Sequence, residues 1–124
     1  MGDDHEELVR RAVDAFNSGD REPLREICSP RVRIVPLRAA LEDTTYEGPT
    51  AVDEFWEAAH EAWSEMRMEI DEIESEGDRV LARGVFRGTA RTSGAPVETP
   101  TTFGFTFRDG LIDEIETRAE GPGA

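Results

Sequence analysis

Tyr46-Glu47-Gly48-Pro49-Thr50 divides this 124-residue chain into two kinds of pattern. Gly48-Pro49 punctuates the chain, and Thr50 is placed to open a helix, with Asp53 three residues on as a variant of the capping box. Val52, Phe55, Trp56, Ala59, Ala62 and Trp63 recur at helical spacing and give this helix a wide apolar face. Working back, Pro36 to Gly48 is irregular and mixed in character. A loop of that length in a compact domain is commonly a lid or a pocket rim. Before it, Val32, Ile34 and Val35 read as a short strand that stops at Pro36. Two helices come earlier still. The first spans about residues 3–16, where Leu8, Val9, Ala12, Val13 and Phe16 make one stripe. Acids crowd its first turns, where the helix dipole favours them, and Gly19 is placed to end it. The second spans about residues 21–28, with Pro23 in its first turn and Leu24, Ile27 and Cys28 facing inward.

Working forward from the third helix, the period changes to two. Met66, Met68 and Ile70 alternate with Arg67, Glu69 and Asp71. After a turn at Glu76-Gly77-Asp78, residues 79–92 form a strand with unlike faces. One face carries Val80, Ala82, Gly84, Phe86, Gly88 and Ala90, and the other Leu81, Arg83, Val85, Arg87, Thr89 and Arg91. Ser93-Gly94-Ala95-Pro96 turns the chain into residues 97–107, with Phe103, Phe105 and Phe107 on one face. Arg108-Asp109-Gly110 is a tight hairpin turn into a last strand over residues 111–117. A meander of this kind predicts an antiparallel sheet. Glycine inside a strand marks a bend or a close approach. A bent sheet covered by helices leaves room for an apolar pocket, which the phenylalanines either line or fill.

Composition narrows the function. The 28 acidic residues outnumber the 14 basic ones, all of them Arg, for a net charge of −14. Nucleic acid needs a basic footprint and an anionic membrane surface repels acid, so neither is an expected partner. The acid is spread along the chain rather than gathered in a tail. That pattern suits solubility in concentrated salt, and attraction of a basic partner is the alternative. One cysteine, Cys28, excludes an intrachain disulfide and a Cys-based zinc site, and reads as a small buried hydrophobe. No metal and no cofactor is expected, and a nucleotide site in particular is not suggested, since no glycine-rich loop follows a strand and opens a helix. With no apolar run of membrane length and no basic-then-apolar leader, the expected location is the cytoplasm.

The run Phe16-Asn17-Ser18-Gly19-Asp20, then Ser29-Pro30-Arg31-Val32, then Tyr46-Glu47-Gly48-Pro49 before a helix, then Asp109-Gly110-Leu111-Ile112, resembles the SnoaL-like polyketide cyclase branch of the nuclear transport factor 2-like superfamily. The resemblance covers about residues 6–118. It implies an α+β cone, three helices packed on a strongly curved antiparallel sheet enclosing a hydrophobic pocket. It also implies one domain over about residues 3–118 and a homodimer through the back of the sheet. Residues 119–124 read as a frayed tail. Members include cyclases, isomerases, dehydratases, epoxide hydrolases and plain binding modules, and a shared fold does not choose among them. Ketosteroid isomerases have a similar layout and place a tyrosine and two acids at positions matching Ala12, Val35 and Phe103 here. None of these can donate or accept a proton, which rules out that chemistry. The aromatic-His-Asp-Pro element of SnoaL-like cyclases is replaced by Arg33-Ile34-Val35-Pro36.

Candidate site residues follow. His60 is the one histidine in the middle of the chain, a base or polar anchor if it faces the pocket and a boundary residue if it does not. Tyr46 and Arg38 lie on the irregular segment, where they can stabilise developing negative charge or hold a ligand carbonyl or carboxylate. Their plainer roles are a rim tyrosine packed on the third helix and an arginine paired with Glu42 or Asp43. Trp56, Trp63, Phe86, Phe103 and Phe105 are the candidate ligand contacts for a small apolar molecule, and equally ordinary core residues. Leu81, Arg83, Val85 and Arg87 on the outer sheet face suit either a dimer surface or cross-strand pairing with Glu69 and Asp71. The function expected is binding of a small apolar metabolite, with acid–base isomerase, cyclase or hydrolase chemistry on one side and a non-catalytic or dimerisation module on the other.

Overall fold

The computed structural model describes residues 2–36 and 45–119. Helix α1 (Gly2–Ser18) ends where Gly19 turns to φ +76 and the Gly19 and Asp20 amides both donate to the Ala15 carbonyl. A left-handed residue there lets the last turn close its carbonyls, and glycine takes that conformation without strain. Helix α2 (Glu22–Ile27) follows, then strand β1 (Cys28–Val35), the two-residue strand β2 (Tyr46–Glu47) and helix α3 (Ala51–Ala62). Four long strands complete the chain: β3 (Trp63–Glu76), β4 (Arg79–Ala90), β5 (Pro96–Arg108) and β6 (Leu111–Ala119). The fold is therefore α+β, with three helices and six strands among the described residues. The expected frayed tail lies mostly outside them.

The sheet order is β2-β1-β6-β5-β4-β3. From β3 to β6 the sheet is the antiparallel meander that the turns predict. The expectation of a wholly antiparallel sheet is corrected at the other end, because β1 pairs with β6 in parallel, through Arg33 with Glu114 and Ile34 with Ile115. Alternation within a strand specifies its faces but not its neighbour, and this pairing joins residues about eighty positions apart. Three further local expectations give way. Cys28 is extended and opens β1 rather than closing α2. Thr50 makes no side-chain cap; its hydroxyl donates to Glu54, while the Asp53 carboxylate accepts from Arg25 and lies beside Arg21. Trp63 leaves the helix and begins β3, opposite Ala90. Arg91 fixes that junction by donating from its guanidinium to the carbonyls of His60 and Trp63 and from its amide to that of Ala62.

The buried core joins Val9, Val13 and Phe16 of α1, Val52 and Trp56 of α3, and the inward positions of β4, β5 and β6. Phe103, Phe105 and Phe107 are all buried on one face of β5, as their spacing requires. The sheet carries bulges in β3 near Ser64 and Asp71 and in β6 near Asp113, and bulged strands bend and twist. Gly84 sits opposite the Asp71 bulge so closely that a β-carbon there would lie 1.8 Å from the Glu69 carbonyl oxygen. The close approach that an interior glycine suggests is thus a strand-to-strand contact.

Asn17 locks the helical layer to the sheet. Its amide donates to the Met68 carbonyl at 2.9 Å and accepts from the Met68 amide at 2.8 Å. As β3 is an edge strand, Asn17 supplies the pair of hydrogen bonds that a neighbouring strand would otherwise make.

Candidate functional site

Between α3 and the inner face of the sheet lies a partly open cleft of about 90 Å³. Its helical wall is Phe55, Ala58, Ala59 and Ala62, one stripe of α3, with Phe16 contributed by α1. Small alanine side chains on this stripe hold the helix backbone close to the sheet while leaving space between them. The sheet side is Trp63, Met66 and Met68 of β3, Phe86 of β4, Phe103 of β5 and Thr117 of β6, with Pro36 and Tyr46 completing the lining. The ring of Trp63 meets that of Phe86 edge to face at 5.0 Å, and Tyr46 meets Phe55 edge to face at 6.4 Å. Gly88 makes the first of these contacts possible, since a β-carbon there would come within 2.8 Å of the Trp63 ring. Large side chains thus occupy much of the small-residue face of β4. The remaining volume is far below the roughly 300 Å³ at which drug-sized sites begin.

Trp63, Phe86, Phe103 and Tyr46 line the cleft, whereas Trp56 and Phe105 do not. Trp56 packs under α3, its ring 6.4 Å from that of Phe16, and Phe105 is buried opposite Val80 and Ile115. His60 is exposed on the last turn of α3. Its Nδ1 is 2.8 Å from the Trp56 carbonyl and its ring stacks on that of Trp56 at 5.5 Å. A carbonyl only accepts, so Nδ1 carries the proton and donates. His60 therefore contributes nothing to the cleft lining, and Arg38 lies outside the described residues. The acid–base set suggested by the sequence is not brought together among the residues described. Phe16, Phe55, Met66, Met68 and Thr117 are lining residues that the sequence reading treats as core or strand positions. The stripes and alternation carry that signal, but only docking of α3 on the sheet decides which core positions border space.

Several surface arginines are held in ion pairs. On the outer face Arg87 pairs with Glu69 and Glu98, and Arg83 with Glu72 and Glu74. Hydrogen bonding to Glu69 and Glu74 raises the Arg87 and Arg83 guanidinium pKa values above the ordinary one. Asp53 does the same for Arg25, which ties α2 to the first turn of α3. Ser29 donates to Asp113 at 2.8 Å, joining the start of β1 to the β6 bulge. Burial pushes the Cys28 thiol up to about 12, which leaves it protonated and unreactive near neutrality.

A six-stranded mixed sheet with helices packed on it and an aromatic cleft between them defines a class of small α+β domains. The chain belongs to the SnoaL-like domain family, whose model matches residues 9–115. It is similar in structure to an NTF2-like protein of unknown function from Burkholderia pseudomallei, with a TM-score of 0.84 and 23% identity over 94% of this chain and 91% of that one. A candidate polyketide cyclase from Sinorhizobium meliloti is 30% identical over 90% of this chain and 93% of that one, with a TM-score of 0.72. TerC, crystallised with polyporic acid, is 22% identical over 94% of this chain and 92% of that one, with a TM-score of 0.82. No curated protein sequence matches the chain.

Proposed function

We propose that this SnoaL-like protein binds a small, largely apolar metabolite in the cleft between α3 and the sheet and holds it without acid–base catalysis. The observation that carries this reading is the chemistry of the lining. Among the described lining residues Tyr46 is the only one with a titratable side chain, and Tyr46 and Thr117 supply the only side-chain hydroxyls. General acid–base catalysis needs a positioned group within hydrogen-bond reach of the reacting atom, and His60 borders no part of this space. Aromatic and methionine walls with two hydroxyls suit recognition of an apolar body with one polar tip. That a related structure, TerC, was crystallised with polyporic acid is consistent with ligand binding in this fold.

The outer sheet face is the surface we assign to self-association. Leu81 and Val85 are half-buried there between the Arg83 and Arg87 ion pairs. A light-scattering mass of one chain in molar KCl removes this assignment.

The test of binding is the thermal midpoint of the full chain against small ketones, lactones and short fatty acids. A ligand that binds only the folded state adds about 2.7 kcal/mol of stability at a concentration a hundred times its dissociation constant. One chemical class should raise the midpoint, and His60→Ala should leave that rise unchanged. Loss of the rise in His60→Ala, or turnover that depends on His60, contradicts a non-catalytic role.

A further inference from the structure

Resting on the cleft as a small-molecule site, we propose that Trp63 is its specificity-determining residue, a fixed end wall that sets how long a ligand chain the cleft accepts. Trp63 opens β3 on one edge of the sheet, whereas Tyr46 lies in β2 on the opposite edge. Both border the same space, which therefore has an end at β3 that lies away from Pro36 and Tyr46. At that end the Trp63 ring rests against the neighbouring strand, where a β-carbon on Gly88 would come within 2.8 Å of it and 3.0 Å of the Phe86 ring. The Trp63 and Phe86 rings meet with centroids 5.0 Å apart. The wall cannot recede toward β4, because Gly88 and Phe86 already touch it.

The other side chains near this end either yield or belong to the core. Met66 and Met68 line the cleft with unbranched, adaptable side chains, which move aside for a ligand rather than stop it. Phe86 and Phe103 are 5% and 0% exposed and are held by the core around them. Trp63 is half-buried, large and rigid, and its backbone is held from two directions. It pairs with Ala90, and the Arg91 guanidinium donates to its carbonyl at 3.3 Å and to that of His60 at 2.8 Å. One water-sized occupant needs about 10–15 Å³ of such space, so a cleft of about 90 Å³ takes roughly six to nine heavy atoms. An unbranched ligand of that size reaches the wall, and a longer one leaves part of its chain in water.

The test follows the unbranched 2-alkanones from butanone to 2-decanone on the full chain, with dissociation constants taken from the shift of the thermal midpoint. Each methylene buried in the cleft should tighten binding about fourfold until the chain meets Trp63, after which further methylenes should add little. Trp63→Leu should carry the rise about two or three methylenes further, and Trp63→Phe about one. The phenylalanine variant keeps a ring against Gly88 and Phe86, so it tests the wall even if the leucine variant does not fold. A merely structural role for Trp63 changes every affinity by a common factor and leaves the break at the same chain length. A break that stays in place in the variants therefore overturns the assignment and leaves the small-molecule reading of the cleft standing, as does a series with no break in the unaltered chain. Binding of no alkanone by the unaltered chain overturns the assignment too, and if the lactones and fatty acids also fail to shift the midpoint, the small-molecule reading falls with it.

Discussion

Replacing Asn17 by alanine removes both hydrogen bonds that tie the end of α1 to the exposed edge of β3, at 2.9 and 2.8 Å. Each is a neutral bond worth about 0.5–1.5 kcal/mol net, and the Met68 amide and carbonyl left behind are half-buried. The expected loss is about 2 kcal/mol, the sum of two such bonds, which for a domain of this size lowers the melting midpoint by about 8 °C. Asn17→Asp is the sharper variant. It keeps the acceptor for the Met68 amide but turns a carboxylate toward the Met68 carbonyl, so it should cost at least as much despite its nearly identical shape. Urea denaturation at fixed KCl gives both values, with the slope against urea reporting whether the folded and unfolded states keep their compactness. Because the Met68 side chain lines the cleft, ligand affinity should fall along with stability. A loss under about 0.5 kcal/mol in both variants would show that water replaces the amide without cost and that Asn17 does not hold the helical layer to the sheet.

Gly84→Ala should destabilise the fold by about 2–3 kcal/mol by overpacking, because the backbone that its β-carbon would strike belongs to β3; Gly88→Ala should cost less, since aromatic side chains can shift, and intrinsic tryptophan emission should report the movement of Trp63. The Cys28 thiol should react on the order of 10³-fold more slowly in the folded chain than in urea at mildly alkaline pH. Burial raises its pKa from 9.0 to about 12, so the folded state holds a proton that the unfolded state releases. Stability is therefore lost as pH rises from 9.0 toward 12, and Cys28→Ala should flatten that part of the urea-midpoint profile. The melting midpoint should rise as KCl increases to molar levels, because screening relieves the repulsion of a chain at −14. A flat or falling midpoint would mean that loss of the Arg–Glu pairs on the outer face outweighs that relief.

How much was legible in the chain depended on how local each signal was. The stripe Val9, Val13 and Phe16, the stop at Gly19 and the hairpin at Asp109-Gly110 all report on neighbours within a turn or two. The structure places them accordingly, with Asp109 and Gly110 at φ 54 and 80. The inner and outer faces of β4 were readable for the same reason, because alternation is a property of the strand itself. Trp63 was misread because its helical spacing continues the α3 pattern, while pairing with Ala90 and capture of the helix end by Arg91 extend it into β3. The capping role expected of Asp53 gave way to Arg25 and Arg21, which the sequence holds about thirty positions away.

The sequence by itself determined the helices, the turns, the burial faces of the meander, the acidic surface and the family resemblance, since periodicity, turn chemistry and composition are written in adjacent residues. Only the tertiary structure decided that β1 joins β6 in parallel and that Asn17 closes the edge of β3. Those outcomes depend on contacts across about fifty and about eighty residues, which no local preference specifies. The cleft belongs to the same class. Its aromatic lining is present in the composition, but its size and the angles at which its rings meet exist only once helix and sheet are packed together.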